Sequence, residues 1–466
     1  MASVQWQELG SAKADAADGL NVAIDGFAAM SVLLPARHFM LLEEQPCCPG
    51  CVPRHPDAAI EVFAAGPIAL RGQKLRMTGI WRVNKAPSGR RYQLHQAQLR
   101  EPPGWASVSR RGVLAAGPLL CLAASAAGET TEGAAQRHAQ ARQVIATGPS
   151  IDLHSHAGGI ASVSRITSGH GFGRVAEPMR QGGMAAICLA VVSDGPTHRV
   201  MADHRIHPYR DPIAGELYQY GTQAFSRVHD LARDQGLAVI ASKADLRAAK
   251  AGTPSVIIAA EGADFLEGQI GRVDEAFSRW SLRHLQLTHY RVNELGDIQT
   301  EEPVHGGLTD FGAAVIRRCN EIGIVVDVAH GTYDLVKRAA EVSRKPLVLS
   351  HTSLMSRPSR FSRRITAEHA RLIAGTGGVI GVWPPASIYP TLDAMAAGMA
   401  GMAEIVGVDH VGLGSDMRGL VGASIFPEYD QLPDLAEALL RVGFSTAETG
   451  KILGGNYARV FAECVN

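Results

Sequence analysis

The 466-residue sequence is short of charge. Lys+Arg and Asp+Glu number 45 each, and charged residues make up only 19% of the chain. A formal net charge of zero argues against a general polyanion-binding protein, which needs a basic surplus. No aromatic residues interleaved with basic ones stand out as a base-stacking platform, so no nucleic-acid partner is expected. Long apolar runs are missing as well. A membrane-spanning helix needs about 18–20 consecutive apolar residues, so a multi-spanning membrane protein is excluded. Cysteine is sparse, with seven in all. That is too few for a disulfide scaffold, and an odd count leaves at least one unpaired. Apolar mass is not lacking: 46% of residues are hydrophobic, enough for a sizeable core and incompatible with wholesale disorder. At roughly 150 residues per domain, the length allows two or three domains, or one large barrel plus a smaller unit. Histidine, at 18 residues, exceeds what packing alone requires.

Three stretches differ in character. Residues 1–105 carry short β-prone runs at Leu20–Phe27, His38–Leu42, Ile60–Phe63, Leu75–Val83 and Tyr92–Leu99, separated by Pro, Gly and Asn. Helical periodicity is poor there, and a small β-rich domain is expected, similar to OB-like barrels with a Cys/Pro/His-rich loop. Within it, Cys47, Cys48 and Cys51 with His55 supply only half of a zinc-finger spacing. A structural loop, a metal site and redox chemistry all stay open for them. Residues 106–147 contain Ser109-Arg110-Arg111, a weakly apolar stretch, and small residues at Ala124-Ser125-Ala126. This resembles a twin-arginine export signal, which implies a periplasmic location or membrane attachment through residues 110–128. Such signals belong at an N-terminus. The readings are a true start near Val108 behind an upstream extension, a fusion with an internal anchor, or a buried Ala-rich helix. The polar stretch 128–145 reads as a linker or a first helix.

From residue 148 to 466, apolar β-rich runs alternate with amphipathic ones. The former are Ser150–Leu153, Ala185–Val192, Ser255–Ala260, His284–Thr288, Gly323–Ala329, Pro346–Ser350, Gly378–Trp383 and His410–Gly414. Helical period marks Leu217–Gln235, Asp310–Ile322, Tyr333–Val342, Ala367–Ala374 and Leu392–Val406, with Leu432–Val442 and Ser445–Leu453 after the last strand. Eight such units predict an α/β fold, a parallel (β/α)8 TIM barrel. An open doubly wound sheet would want a Gly-rich phosphate loop after its first strand, and that strand ends instead in His154-Ser155-His156.

The expected strand ends carry a recurring chemistry. Beyond His154 and His156 they hold Glu261, His289, His330, His351 and Asp416. In a barrel, the C-terminal ends of all strands face one rim, where catalysis is built. Imidazole nitrogens and carboxylate oxygens are the ligand set for Zn2+ and similar ions. Residues i and i+2 share one side of a strand, so His154 and His156 can face the same ion. Each residue alone reads as a hydrogen-bonded core or loop side chain. Recurrence at six strand ends does not. A Glu could bridge two ions about 3.5–4 Å apart, the binuclear hydrolase arrangement that acidifies a bridging water.

These segments resemble the membrane (renal-type) dipeptidases, a branch of the amidohydrolase-like metal-dependent barrels. The matching runs are Ile151-Asp-Leu-His-Ser-His156, Ala260-Glu-Gly-Ala-Asp264, Leu287-Thr-His-Tyr290 with Asn293, Gly307-Leu-Thr-Asp-Phe-Gly312 and Val326-Asp-Val-Ala-His330. Leu349-Ser-His-Thr352, Val408–Asp416 and Gly454–Phe461 continue the match. The resemblance implies hydrolysis of a dipeptide by two zinc ions with a bridging hydroxide. His154 and His156 would hold one ion, His330 and His351 the other, and Glu261 would bridge them. His289 would hydrogen-bond the scissile carbonyl or its oxyanion, and Asp416 would move the proton. Arg363, or failing it Arg360, would pair with the substrate's C-terminal carboxylate. The family often dimerises, so a homodimer is one implied arrangement.

Two departures bear on substrate and metal. His156 stands where the family usually has Asp, which removes a negative charge and leaves room for another divalent metal. Met417-Arg418-Gly419 replaces the usual Phe-Asp-Gly after Asp416. They favour, as alternatives, a related barrel acting on another amide, lactam or ester. A non-catalytic metal- or partner-binding protein is the remaining reading. His305 and Trp383 are further residues that could touch substrate.

Overall fold

The computed structural model describes residues 2–4, 6–9, 11–28, 36–42, 59–68, 74–86, 89–100, 131–355 and 359–465. Cys47, Cys48, Cys51 and His55 lie outside these residues, as does the twin-arginine-like segment. Two compact units result, Met1–Gly128 and Glu129–Asn466.

In the first unit, five strands account for the β-prone runs: β1 (Asn21–Ala28), β2 (Ala36–Leu42), β3 (Ala59–Ile68), β4 (Lys74–Ala86) and β5 (Gly89–Arg100). Their order is β1-β2-β3-β5-β4, and β4 pairs back onto β1, so the sheet closes. Only the β3–β5 pair is parallel among these five. That is the connectivity of a five-stranded Greek-key barrel. Alternate residues fill it: Val22 and Ile24, Ile60 and Val62, Leu75 and Met77, Tyr92 and Leu94 are all buried. Trp81 stacks on Tyr92 at 5.4 Å, and its indole N–H donates to Ala14 O at 3.0 Å.

The second unit contains eight parallel strands in sequential order: β6 (Ile151–Ser155), β7 (Ala186–Val192), β8 (Ser255–Glu261), β9 (Leu282–Gln286), β10 (Val325–Asp327), β11 (Leu347–Thr352), β12 (Val379–Val382) and β13 (Val411–Leu413). A single bridge, Ser155↔Met417, joins the first strand to the segment after the last. The barrel is nearly closed. Period-2 alternation divides the strands. Ile187, Leu189, Val191, Val256 and Ile258 pack with the surrounding helices. Cys188, Ile257, Ala259, Val325, Val348 and Val379 form another cluster with Tyr457 and Phe461 of the C-terminal helix Asn456–Cys464. Four barrel helices begin on a threonine whose hydroxyl accepts a backbone N–H: Thr309, Thr332, Thr366 and Thr391. Such caps satisfy donors that the first helical turn leaves unpaired.

The helix Thr131–Thr147 packs onto this unit, with Ala141, Val144 and Ile145 buried in its core. Helices at Ala176–Gly182, Lys243–Ala248 and Gly271–Arg279 were not evident from periodicity. The first two, of seven and six residues, are too short for a repeating apolar face to stand out. No helix among the described residues is long and apolar enough to cross a membrane.

Candidate metal centre

Strand ends bring seven side chains into one cup. Glu261, the last residue of β8, stands at its centre and is 2% exposed. Its Oε1 lies 3.1 Å from His330 Nε2 and 3.4 Å from both His154 Nε2 and His351 Nε2. Its Oε2 lies 3.1 Å from His156 Nε2 and 3.2 Å from His289 Nε2. The imidazoles also face one another, with 3.1 Å between the Nε2 atoms of His154 and His156, and 3.1 Å between those of His330 and His351. Asp416 Oδ1 is 3.5 Å from His156 Nε2. All of these residues are buried. Five imidazole nitrogens aimed at one carboxylate form a donor set that a divalent cation would complete.

The outward ring nitrogens are partly anchored. His156 Nδ1 is 2.9 Å from Ala190 O, and His351 Nδ1 is 2.9 Å from Ser350 Oγ. Such partners fix ring orientation at metal sites. His330 Nδ1 has no partner among the described residues. Backbone strain concentrates here: His330 and Asp416 have φ of 68° and 46°, in the left-handed region that costs a non-glycine residue about 1–3 kcal/mol.

Electrostatics favour neutral ligands on one side. Burial, aided by the Arg363 guanidinium, pushes the His330 imidazole well below its ordinary value. Burial, His154 and Arg363 do the same to His351. Both rings therefore stay in the neutral form that ligates a cation. Burial also opposes charge on Glu261, but the His289 and His154 imidazoles overcome it and hold the carboxyl well below its usual range. Burial lowers His154, yet Glu261 and Asp416 lift it to about 9. Burial raises Asp416 to about 6 against the pull of His156 and His154.

Arg363 joins the cup and Arg360 does not. Arg363 Nη2 lies 2.9 Å from His351 Nε2, and Nη1 donates to Gln299 Oε1 at 2.9 Å. The guanidinium sits 5.4 Å from the Trp383 ring, and its buried Nε has no acceptor among the described residues. Arg360 instead makes an exposed ion pair with Glu302. Arg418, the added cation of the altered motif, is likewise spent on Glu428. Gly419 is required where it stands: an added methyl would overlap Asp416 Oδ1 and His156 Cδ2. His305 is exposed, and its backbone N–H donates to Asp297.

A cavity of about 120 Å3 lies over Glu261, His289, Arg363 and Asp416. A neighbouring cavity of about 380 Å3 shares Tyr290, Arg363 and Trp383 with it and is walled by Phe361, Ile388 and Val421.

The sequence profile of the membrane dipeptidases (peptidase family M19) matches residues 139–466. The chain belongs to the membrane dipeptidase family. It is 30% identical over 225 residues to the dipeptidase aclJ of Aspergillus oryzae, a stretch covering 46% of this chain and 52% of that protein. To the dipeptidase tcpJ of Claviceps purpurea it is 30% identical over 238 residues, 48% of this chain and 55% of that protein. The chain thus spans about half the length of the curated relatives it matches. Among solved structures, the probable dipeptidase PvdM from Pseudomonas aeruginosa aligns with a TM-score of 0.61 at 18% identity, over 71% of this chain and 98% of that one. An amidohydrolase from Pseudomonas aeruginosa aligns at 0.56 and 24% identity, over 70% and 99%. A metallo peptidase from Rhodobacter sphaeroides, liganded with a phosphinate mimic of L-Ala-D-Ala, aligns at 0.56 and 20% identity, over 68% and 99%. At these identities the likeness shows the shared fold.

Against the membrane dipeptidase pattern, several site residues carried no earlier assignment. Asp194 is fully buried and accepts from His289 Nδ1 at 2.7 Å and from the Tyr290 N–H at 3.1 Å. It stands just past the end of β7, so the strand-end rule that flagged Glu261 could have found it. Asp152 and Asp327 lie within the matching motifs, but their partners are distant in sequence. Tyr290 and Gln299 flank Arg363 from the loop after β9, where periodicity carries no signal.

Proposed function

We propose that the chain is a metal-dependent dipeptidase whose cup holds two Zn2+ ions. His154 and His156 would hold one ion and His330 and His351 the other, with Glu261 shared between them. The convergence of five Nε2 atoms on the two oxygens of Glu261 carries this reading. The donor chemistry fits zinc, and the loss of the family's Asp at position 156 leaves another divalent metal open. A bound pair would acidify a water and polarise the scissile carbonyl.

The chain's own residues do the rest. Arg363 is the carboxylate anchor: a buried guanidinium with an unused Nε–H suits a planar, bidentate partner. An anchor at that distance selects short substrates, because a longer peptide has no terminal charge there. His289 gives its Nδ1–H to Asp194, which turns Nε2 toward the cup. In the imidazolium form both ring nitrogens donate, and Nε2–H would stabilise charge developing on the carbonyl oxygen. Asp416, with Oδ1 3.5 Å from His156 Nε2 at the edge of the cup, takes a proton from the attacking water and delivers it to the leaving amine.

Metal analysis of the purified chain combined with a screen of L-L and L-D dipeptides tests the proposal. Two ions per chain and dipeptide turnover, with turnover abolished in Glu261→Gln, are expected. Turnover of acyl-amides, lactams or esters without dipeptides would replace the substrate class. A chain inert after metal reconstitution would remove the activity altogether. We also propose a periplasmic or membrane-associated location from Ser109-Arg110-Arg111 and the stretch after it. Mass spectrometry of the mature N-terminus checks it, with processing near Ala126 expected.

A further inference from the structure

Two aspartates outside the cup share one unusual arrangement. Asp152 and Asp327 are both fully buried. Asp152 Oδ1 accepts the backbone N–H of His154 at 3.3 Å, on its own strand end, and that of Ser415 at 2.8 Å, beyond β13. Asp327 Oδ1 accepts the N–H of Ala329 at 2.9 Å, on its own strand end, and that of Ser350 at 3.1 Å, on β11. The second oxygen of each is fixed by a chain ending in a buried tyrosine. Tyr429 Oη lies 2.7 Å from Asp152 Oδ2, which the Ser415 hydroxyl also meets. His284 Nε2 lies 3.1 Å from Asp327 Oδ2, and its Nδ1 is 2.8 Å from Tyr457 Oη.

Both carboxylates stand where backbone pairing between neighbouring strand ends is thin. Between β10 and β11 only Val326↔Leu347 and Asp327↔Val348 are in register. Between the first strand and the segment after the last there is one bridge, in which the Asp416 N–H donates to His154 O at 3.0 Å and the His156 N–H to Met417 O at 2.9 Å. Those few bonds must hold His330 beside His351, and His154 and His156 beside Asp416. A carboxylate oxygen that accepts one N–H from each segment sets their relative height as a further ladder bond would.

We propose that Asp152 and Asp327 are positioning residues, each registering one ligand-bearing pair of strand ends and so governing one half of the metal centre. The inference rests on the binuclear reading above. Asp327 serves the ion of His330 and His351. Asp152 serves the ion of His154 and His156.

The test is metal retention, measured by mass spectrometry after passage through metal-free buffer, with circular dichroism confirming the fold. Wild type keeps two ions. Asp327→Ala keeps one, its weakened half losing about 10–100-fold in affinity. Adding His351→Ala removes no further ion, whereas adding His156→Ala removes the second. Asp152→Ala gives the mirror result. Asp327→Asn and Asp152→Asn preserve an acceptor oxygen and keep both ions, which a general need for a buried charge would not allow. If an alanine variant does not fold, Tyr457→Phe and Tyr429→Phe take its place, each weakening its own half in chelator competition and leaving the other half unchanged. Folded alanine variants with both ions at wild-type affinity, loss of both ions together from either variant, or tyrosine variants that bind like wild type would each overturn the division. A wild-type chain that binds no divalent ion would overturn the binuclear reading itself, and the inference with it.

Discussion

The chain contains two barrels that close in opposite ways. In the five-stranded barrel β1 and β4 pair through seven consecutive residues, from Asn21↔Ile80 to Phe27↔Lys74. In the eight-stranded barrel one bridge with two backbone hydrogen bonds and the Asp152 carboxylate span the corresponding seam. Backbone ladders give uniform closure but use up the main chain. Where the ladder ends early, strand ends are free to turn inward, strained at His330 and Asp416, and side chains must hold them. The second barrel keeps only a few ladder bonds at its rim and sets a buried cluster of titratable groups beside them.

Metal removal should expose that difference most strongly. Under the proposed function, chelation abolishes dipeptide hydrolysis and re-addition of Zn2+ restores it. Far-UV circular dichroism should change little, because barrel packing supplies the fold and the ions join only the rim. Global unfolding on chelation would show instead that the cup holds the barrel together.

The small barrel should fail by a different route. Trp81→Ala removes a buried ring and the partner of Ala14 O, costing its unit about 3–5 kcal/mol. Denaturant unfolding followed by fluorescence and circular dichroism measures the loss. Dipeptide kcat/KM should be unchanged. A parallel fall in kcat/KM would show that the first unit takes part in catalysis.

Within the cup, a single methyl should matter. Gly419→Ala forces Asp416 or His156 to move, and misplacement by about 1 Å costs up to about 100-fold in rate. Steady-state kinetics should show kcat/KM down by about 10–100-fold with the melting temperature nearly constant. Wild-type kinetics in this variant would mean that Asp416 has no demanding position.

The same contrast explains what was legible beforehand. All thirteen strands of the two barrels coincide with apolar or β-branched runs bounded by turn residues, because period and composition are local properties. Glu261, His330 and His351 were legible because each follows such a run directly. Asp152 and Asp327 sit in the same motifs, yet their meaning depends on Ser415, Tyr429 and Tyr457, which only the folded barrel brings near. The choice between Arg363 and Arg360 depends on which of two neighbouring loop arginines turns inward, and no local pattern encodes that. Arg418, expected to add a cation at the mouth, is neutralised by a Glu ten residues on.

The smallest expected effect concerns the hairpin beside the cup, whose strands are His198–Val200 and Ile206–Pro208. His207 Nδ1 lies 2.6 Å from Glu301 Oε1 and Nε2 lies 2.8 Å from Asp203 Oδ2. The Glu301 and Asp203 hydrogen bonds raise the His207 imidazole above its ordinary value, with burial a lesser opposing influence. Because the folded value is the higher one, the stabilisation is fully present below the unfolded value near 6.5 and is lost as pH rises through the folded value. The side chain is a quarter exposed, so salt weakens the pairing and the gain is small. Amide exchange in the hairpin, corrected for intrinsic rates, should be slower at pH 6 than at pH 9. His207→Gln should remove most of that difference, although His198, raised by Asp194 against its own burial, titrates on the same hairpin and can leave a remainder. Equal protection at both pH values in wild type would mean that the His207 pairing does not stabilise the hairpin.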